Sequence, residues 1–200
     1  MNSRNWVEIS RGALRHNLDY VRSLLPAGTA VCAVVKADAY GHGAVACAQV
    51  FAAAGVPWLA VTSTEEGVRL RHAGIHSRIL VLGGFLEEEA RVLVAHNLTP
   101  AIWDEAQIHW LGTAGNRAKI HLKLETGMGR LGVTAAQQSG VDAALRAKPG
   151  IEVEAVFSHL ASAEAADASS AERQHERLLA LAQTQKAPAW HLLNSEATLR

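Results

Sequence analysis

Ala30-Val31-Cys32-Ala33-Val34-Val35-Lys36-Ala37-Asp38-Ala39-Tyr40-Gly41-His42-Gly43 is an uncharged run of small and β-branched residues that ends on one lysine and a glycine-punctuated turn. The run suits a strand buried on both faces of a parallel sheet. Gly41 and Gly43 permit a tight turn, and the alanine-rich stretch from Ala44 to Ala54 is expected to be helical. A lysine at such a junction is either a reactive amine or a surface residue whose stem lies along the apolar strand. The local context leaves both open.

Outward from this stretch the same unit recurs. Before it, Ser10 is an N-cap candidate for a helix whose Leu14, Leu18 and Val21 share one face, ended by Pro26. After it, apolar runs over 58–61, 78–82, 98–103, 120–124, 151–157 and 190–193 read as strands. Helical patterns over 64–72, 87–96, 104–111, 135–146 and 170–183 separate them, with Glu87, Glu88 and Glu89 placing negative charge in one first turn. Alternating strands and helices mean an α/β fold with a parallel sheet, and seven units favour a TIM-type (β/α)8 barrel over an open sheet. Such a barrel typically takes about 250 residues, and this chain has 200. One barrel domain over residues 1–200, incomplete after about seven strands, is therefore expected.

The formal net charge is zero, so no global field draws the protein to nucleic acid or an anionic membrane. No apolar run reaches the length of a membrane span, and residues 1–6 show no signal-like apolar segment, which points to a cytoplasmic protein. Cys32 and Cys47 have no framework spacing and are expected to be buried thiols. No His/Cys/Asp/Glu grouping has metal-ligand spacing.

Barrel active sites form at the C-terminal ends of strands. In the fifth strand, Ile120, Leu122 and Leu124 alternate with His121, Lys123 and Glu125, which should put the polar three inside the barrel. An inward lysine with Arg130 nearby calls for anions: Glu125, or an anionic ligand. Gly127-Met128-Gly129-Arg130-Leu131-Gly132 is formally a GxGxxG motif, but it follows the fifth strand rather than opening the domain. Its glycines are better read as turning the chain around Arg130. His159 ends the sixth strand, and Ser195 follows the seventh.

Val35-Lys36-Ala37-Asp38-Ala39-Tyr40-Gly41-His42-Gly43 resembles the cofactor-lysine signature of bacterial alanine racemases, and Lys123-Leu124-Glu125-Thr126-Gly127-Met128-Gly129-Arg130-Leu131-Gly132 resembles a second block of that family. The resemblance implies pyridoxal 5'-phosphate as cofactor, linked covalently to Lys36, with Tyr40 and Ser195 on its phosphate and His159 against its ring. It implies that Arg130 reaches the cofactor's phenolic oxygen and the substrate carboxylate, and that Lys123 is a candidate for carbamylation. The family usually has Asp where this chain has Glu125, and a small residue where it has Glu196. The implied activity is interconversion of L- and D-alanine for cell-wall synthesis by a homodimer, with Lys36 serving the D-alanine face. The opposite base in the family is a tyrosine from the partner subunit's C-terminal β-rich domain. Neither Tyr20 nor Tyr40 matches it, and that domain is not recognised in these 200 residues. A non-catalytic pyridoxal-phosphate-binding barrel is the alternative.

Overall fold

A computed structural model describes residues 6–115, 117–185 and 187–199. Seven strands lie in one parallel sheet in sequential order: β1 (Cys32–Val34), β2 (Trp58–Val61), β3 (Arg78–Val81), β4 (Thr99–Ile102), β5 (Ala118–Lys123), β6 (Ile151–Phe157) and β7 (Trp190–His191). Helices alternate with them: α1 (Arg11–Leu24), the short turn α2 (Lys36–Tyr40), α3 (Ala44–Ala53), α4 (Thr64–His72), α5 (Ala90–Ala95), α6 (Glu105–Ala114), α7 (Gln138–Ala147), α8 (Ser169–Gln185) and α9 (Ser195–Thr198). This is the expected β/α barrel architecture.

Strand alternation separates two cores. Leu59, Ile79, Ile102, Ile120, Leu122 and Val156 point outward, and each is fully buried beneath the helices. Burying such a side chain stabilises by about 1.5–3 kcal/mol. Ala60, Leu80, Ala101 and Phe157 point the other way, forming a smaller interior cluster with Trp58, Leu82 and Trp103. A sheet apolar on both faces, with a narrow inner face built around alanines, is the pattern of a curled barrel wall.

Helix starts follow the capping chemistry. The Ser10 hydroxyl accepts from the Ala13 N–H at 3.2 Å, Asp104 accepts from the Ala106 N–H at 2.8 Å, and Ser63 with Glu66 forms a capping box on α4. The three-glutamate segment forms a 3-10 turn (Glu87–Glu89), and α5 begins only at Ala90.

Two expectations need correction. β1 is not buried on both faces, because it pairs only with β2 among the described residues; Val34 is 40% exposed. For the same reason Cys32 is exposed, whereas Cys47, on the inner side of α3, is buried.

Between β5 and β6 the register slips: Ile120 pairs with Val153 but His121 with Ala155, leaving Glu154 as an extra residue. Such a bulge re-aims the side chain it carries. Here the Glu154 carboxylate meets Arg78 and lies 3.2 Å from the Lys119 ammonium, far from the strand ends that carry the candidate site.

Candidate active site at the C-terminal end of the barrel

Lys36 leaves β1 where sheet pairing stops, just after the Val35 N–H donates to the Ala60 carbonyl at 2.8 Å. The next four residues, Ala37, Asp38, Ala39 and Tyr40, all have φ between 50° and 55°, a left-handed helical turn without a single glycine. Each such residue costs roughly 1–2 kcal/mol, so the turn persists only because surrounding bonds over-determine it. Ala39 N–H donates to the Val35 carbonyl at 2.9 Å, Gly43 N–H donates to the Asp38 carbonyl at 2.9 Å, and the Asp38 carboxylate accepts from the Ala44 N–H at 2.8 Å. Gly41 and Gly43 also have positive φ, so the glycines end the turn rather than make it. The result is a hook that carries Lys36, whose ammonium stands 5.9 Å from the ring centroid of the exposed Tyr40.

Lys123 closes β5 with only 6% of its surface exposed, its ammonium 5.7 Å from the Phe157 ring centroid. Burial first, and then the charges of Arg130 and Lys36, push its pKa below the ordinary lysine value; Glu125 opposes them. His159 is half-buried and is likewise held below its usual value by burial, Arg130, Lys123 and Lys36. Lys36, Lys123, Arg130 and His159 are therefore near enough for their charges to act on one another. Ser195 lies beyond β7, exposed in the first turn of α9, and no hydrogen bond joins it to the other four among the described residues.

Glu125 does not face the barrel interior as its alternation suggests. Its carboxylate turns back onto the following loop, accepting from the Gly127 N–H and, at 2.9 Å, from the Gly129 N–H. Burial alone would raise this carboxyl, but hydrogen bonds from the Gly129, Gly127, Met128 and Arg130 N–H groups hold it below the usual range. The loop closes where the Val133 N–H donates to the Lys123 carbonyl at 2.8 Å, next to Gly132. A Cβ at Gly132 would lie 2.6 Å from the Glu125 nitrogen. The GxGxxG residues therefore build a tight, self-bonded loop that carries Arg130.

One buried network joins the loops after β5 and β6. Gln174 of α8, 3% exposed, donates to the Thr126 hydroxyl at 3.2 Å and to the His159 carbonyl at 3.0 Å, while its own carbonyl accepts from the Ala161 N–H at 2.9 Å. The Thr126 and Ser158 hydroxyls are 2.7 Å apart, and Ser158 donates to the Leu124 carbonyl at 2.8 Å. Sequence reading placed Gln174 in a helix but gave no signal that it faces the site. Gln174→Leu leaves these partners unpaired in the core, and a loss of about 2–4 kcal/mol of unfolding free energy is expected in urea titrations.

Lys36, Lys123 and Arg130 are thus basic side chains in one neighbourhood, and the nearby Glu125 carboxylate is already bonded to backbone. The site is short of negative charge and fits an anionic ligand such as a phosphate ester or a carboxylate. Among the described residues no cluster fits a metal ion.

A β/α barrel with a hooked lysine in a cation-rich mouth is the class that these features define. Known proteins narrow it: residues 9–200 match the family model described as alanine racemase, N-terminal domain, and the chain belongs to that family. It is 39% identical to the alanine racemase of Synechocystis sp. over 209 residues, covering 100% of this chain and 56% of that protein. The alanine racemase of Geobacter sulfurreducens is 40% identical over 172 residues, covering 84% and 45%. The crystal structure of alanine racemase from Bacillus anthracis with bound L-Ala-P superposes with a TM-score of 0.92 at 28% identity, over 100% of this chain and 54% of that one. The chain spans about half the length of these relatives.

Proposed function

We propose that this chain forms the pyridoxal-phosphate-binding barrel of an alanine racemase that interconverts L- and D-alanine and supplies D-alanine for peptidoglycan. The observation that carries the reading is the hooked Lys36 in a mouth where Lys123 and Arg130 leave positive charge unmatched. When bound, pyridoxal phosphate withdraws electrons from the α-carbon of the amino acid and makes its proton removable.

Lys36 would hold the cofactor covalently, and its amine, when free, would be the base for the α-proton on the D-alanine face. Tyr40 and Ser195 place hydroxyls for the phosphate. His159, whose protonation is disfavoured by burial and by its cationic neighbours, would pack against the ring without adding charge. Arg130 would pair with the cofactor's phenolic oxygen and the substrate carboxylate. Lys123, whose ammonium is disfavoured by burial, would be carbamylated by losing its ammonium proton and then forming an N–C bond to carbon dioxide with release of a second proton; the resulting carbamate would turn a cation into an anion that orients Arg130. The base on the opposite face is a tyrosine of the partner subunit in a cytoplasmic homodimer. Tyr20 lies on the outer helix α1 and Tyr40 on the turn of Lys36 itself, so neither stands opposite that lysine. Among the described residues no helix is long and apolar enough to cross a membrane.

The test is α-proton exchange of D- and L-alanine in D2O by the protein loaded with pyridoxal phosphate, followed by chiral chromatography and mass detection, with and without the C-terminal half of a relative added. Deuterium entering D-alanine is the expected result. Retained cofactor with no exchange in either enantiomer, under both conditions, would favour the non-catalytic barrel.

A further inference from the structure

We propose that Glu66 is a positioning residue for Lys36, acting through the left-handed turn that carries the lysine; this rests on the reading of Lys36 as the cofactor lysine. Glu66 lies in the first turn of α4, where a capping-box glutamate ordinarily bonds one backbone N–H at its own helix start. Here it does more. Its Oε2 accepts from the Thr62 N–H at 2.7 Å and the Ser63 N–H at 3.3 Å, while its Oε1 reaches across to accept from the Ala37 N–H at 2.6 Å.

The position of this clamp gives it a purpose beyond capping. Pairing between β1 and β2 ends with Val34 opposite Ala60 and the bond from Val35 N–H to the Ala60 carbonyl. Immediately beyond, one chain enters the left-handed turn and the other enters the loop before α4. The carboxylate continues the connection between the two strand exits at the point where the ladder stops. Ala37 is also the first residue of the turn with positive φ. Asp38 closes the far end of the same turn through the Ala44 N–H, and Arg69 of α4 stands 3.4 Å from that carboxylate. The entry is held by Glu66, the exit by Asp38. A turn made of four non-glycine residues with positive φ relaxes when such a bond is lost, and Lys36, next to the entry, loses its aim.

Glu66→Gln keeps the volume but replaces one accepting oxygen with a donor, so it can hold Thr62 and Ser63 or Ala37, not both. Glu66→Asp shortens the reach to Ala37 and serves if the first variant does not fold. Ser63→Ala is the control for capping alone, since it removes the hydroxyl that accepts from the Glu66 N–H at 3.3 Å and leaves the carboxylate in place. Each protein is incubated with pyridoxal phosphate, reduced with borohydride at timed intervals and mapped by peptide mass; amide hydrogen exchange over residues 36–43 is measured on the same proteins without cofactor.

The expected result is that the Glu66 variants exchange faster over 36–43 and label Lys36 at least tenfold more slowly, with Lys119 and Lys148 unchanged, while Ser63→Ala labels Lys36 at the unmodified rate. Unchanged exchange, or unchanged Lys36 labelling in the Glu66 variants, overturns the proposal. An equal labelling loss in Ser63→Ala overturns it too, because the effect is then helix capping. If the unmodified protein itself does not label at Lys36, the cofactor-lysine reading fails, and this proposal falls with it.

Discussion

Lys36→Ala is expected to retain no pyridoxal phosphate after borohydride reduction, whereas Arg130→Ala keeps the covalent label and loses affinity for the amino-acid carboxylate by about 10–100-fold, the effect of deleting a charge-assisted hydrogen bond. The contrast follows from where the two side chains sit. Lys36 is the amine that the left-handed turn holds at the barrel mouth; Arg130 is exposed on a loop tied down by Glu125 and Gly132. The competing nucleophile is Lys123, whose disfavoured ammonium leaves more of the reactive neutral amine at neutral pH. It is nearly buried against Phe157, so its access to an aldehyde is poor. Peptide mapping of the reduced Lys36→Ala protein decides the matter: a clean label on Lys123 would transfer the cofactor role to that lysine.

The alternation of β5 was legible, because an apolar residue at every second position is what a wall with two different faces requires. Ile120, Leu122 and Leu124 are all buried on the helix side, and His121 and Lys123 face the interior. Glu125 broke the pattern because it lies past the end of the strand, where N–H groups of a glycine loop compete for its carboxylate more effectively than the lysine does. The apolar run of β1 was read as buried from composition, yet composition does not say whether a strand has one neighbour or two. The left-handed turn had no signature at all. Ala37 to Tyr40 are residues that ordinarily avoid positive φ, and the bonds that enforce it come from Glu66, 29 positions away along the chain, and from the Ala44 N–H. Of these partners, Ser63 and Glu66 have the spacing of a capping box that the pattern over 64–72 did not single out, and the reach to Ala37 required the fold.

Inside the barrel a second titratable pair governs stability rather than chemistry. The His121 Nδ1 and His191 Nε2 atoms are 2.9 Å apart, among the rings of Trp58 and Phe157. One nitrogen must donate and the other accept, so the two imidazoles cannot both carry a proton on the shared side. Burial, then His191, then Arg78 push the His121 pKa down to about 3, and burial pushes His191 down to about 4. The Glu154 carboxylate faces them and favours protonation. Its Oε2 lies 4.0 Å from the His121 Nε2, but the carboxylate is shared with Arg78 and Lys119. In the unfolded chain both imidazoles titrate near 6.5. The folded values are depressed, so the unfolded state binds more protons below that pH, and stability is lost as the solution is acidified from about 6.5 towards 4. The slope approaches about 1.4 kcal/mol per pH unit for each imidazole, amounting to several kcal/mol for the pair. Urea midpoints at pH 7, 6 and 5 should fall steeply, and the double variant His121→Phe, His191→Gln should flatten that fall over the range where carboxylates remain ionised. An unmodified protein whose midpoint is level between pH 7 and 5 would show that the interior accommodates imidazolium, with Glu154 rather than burial deciding the charge.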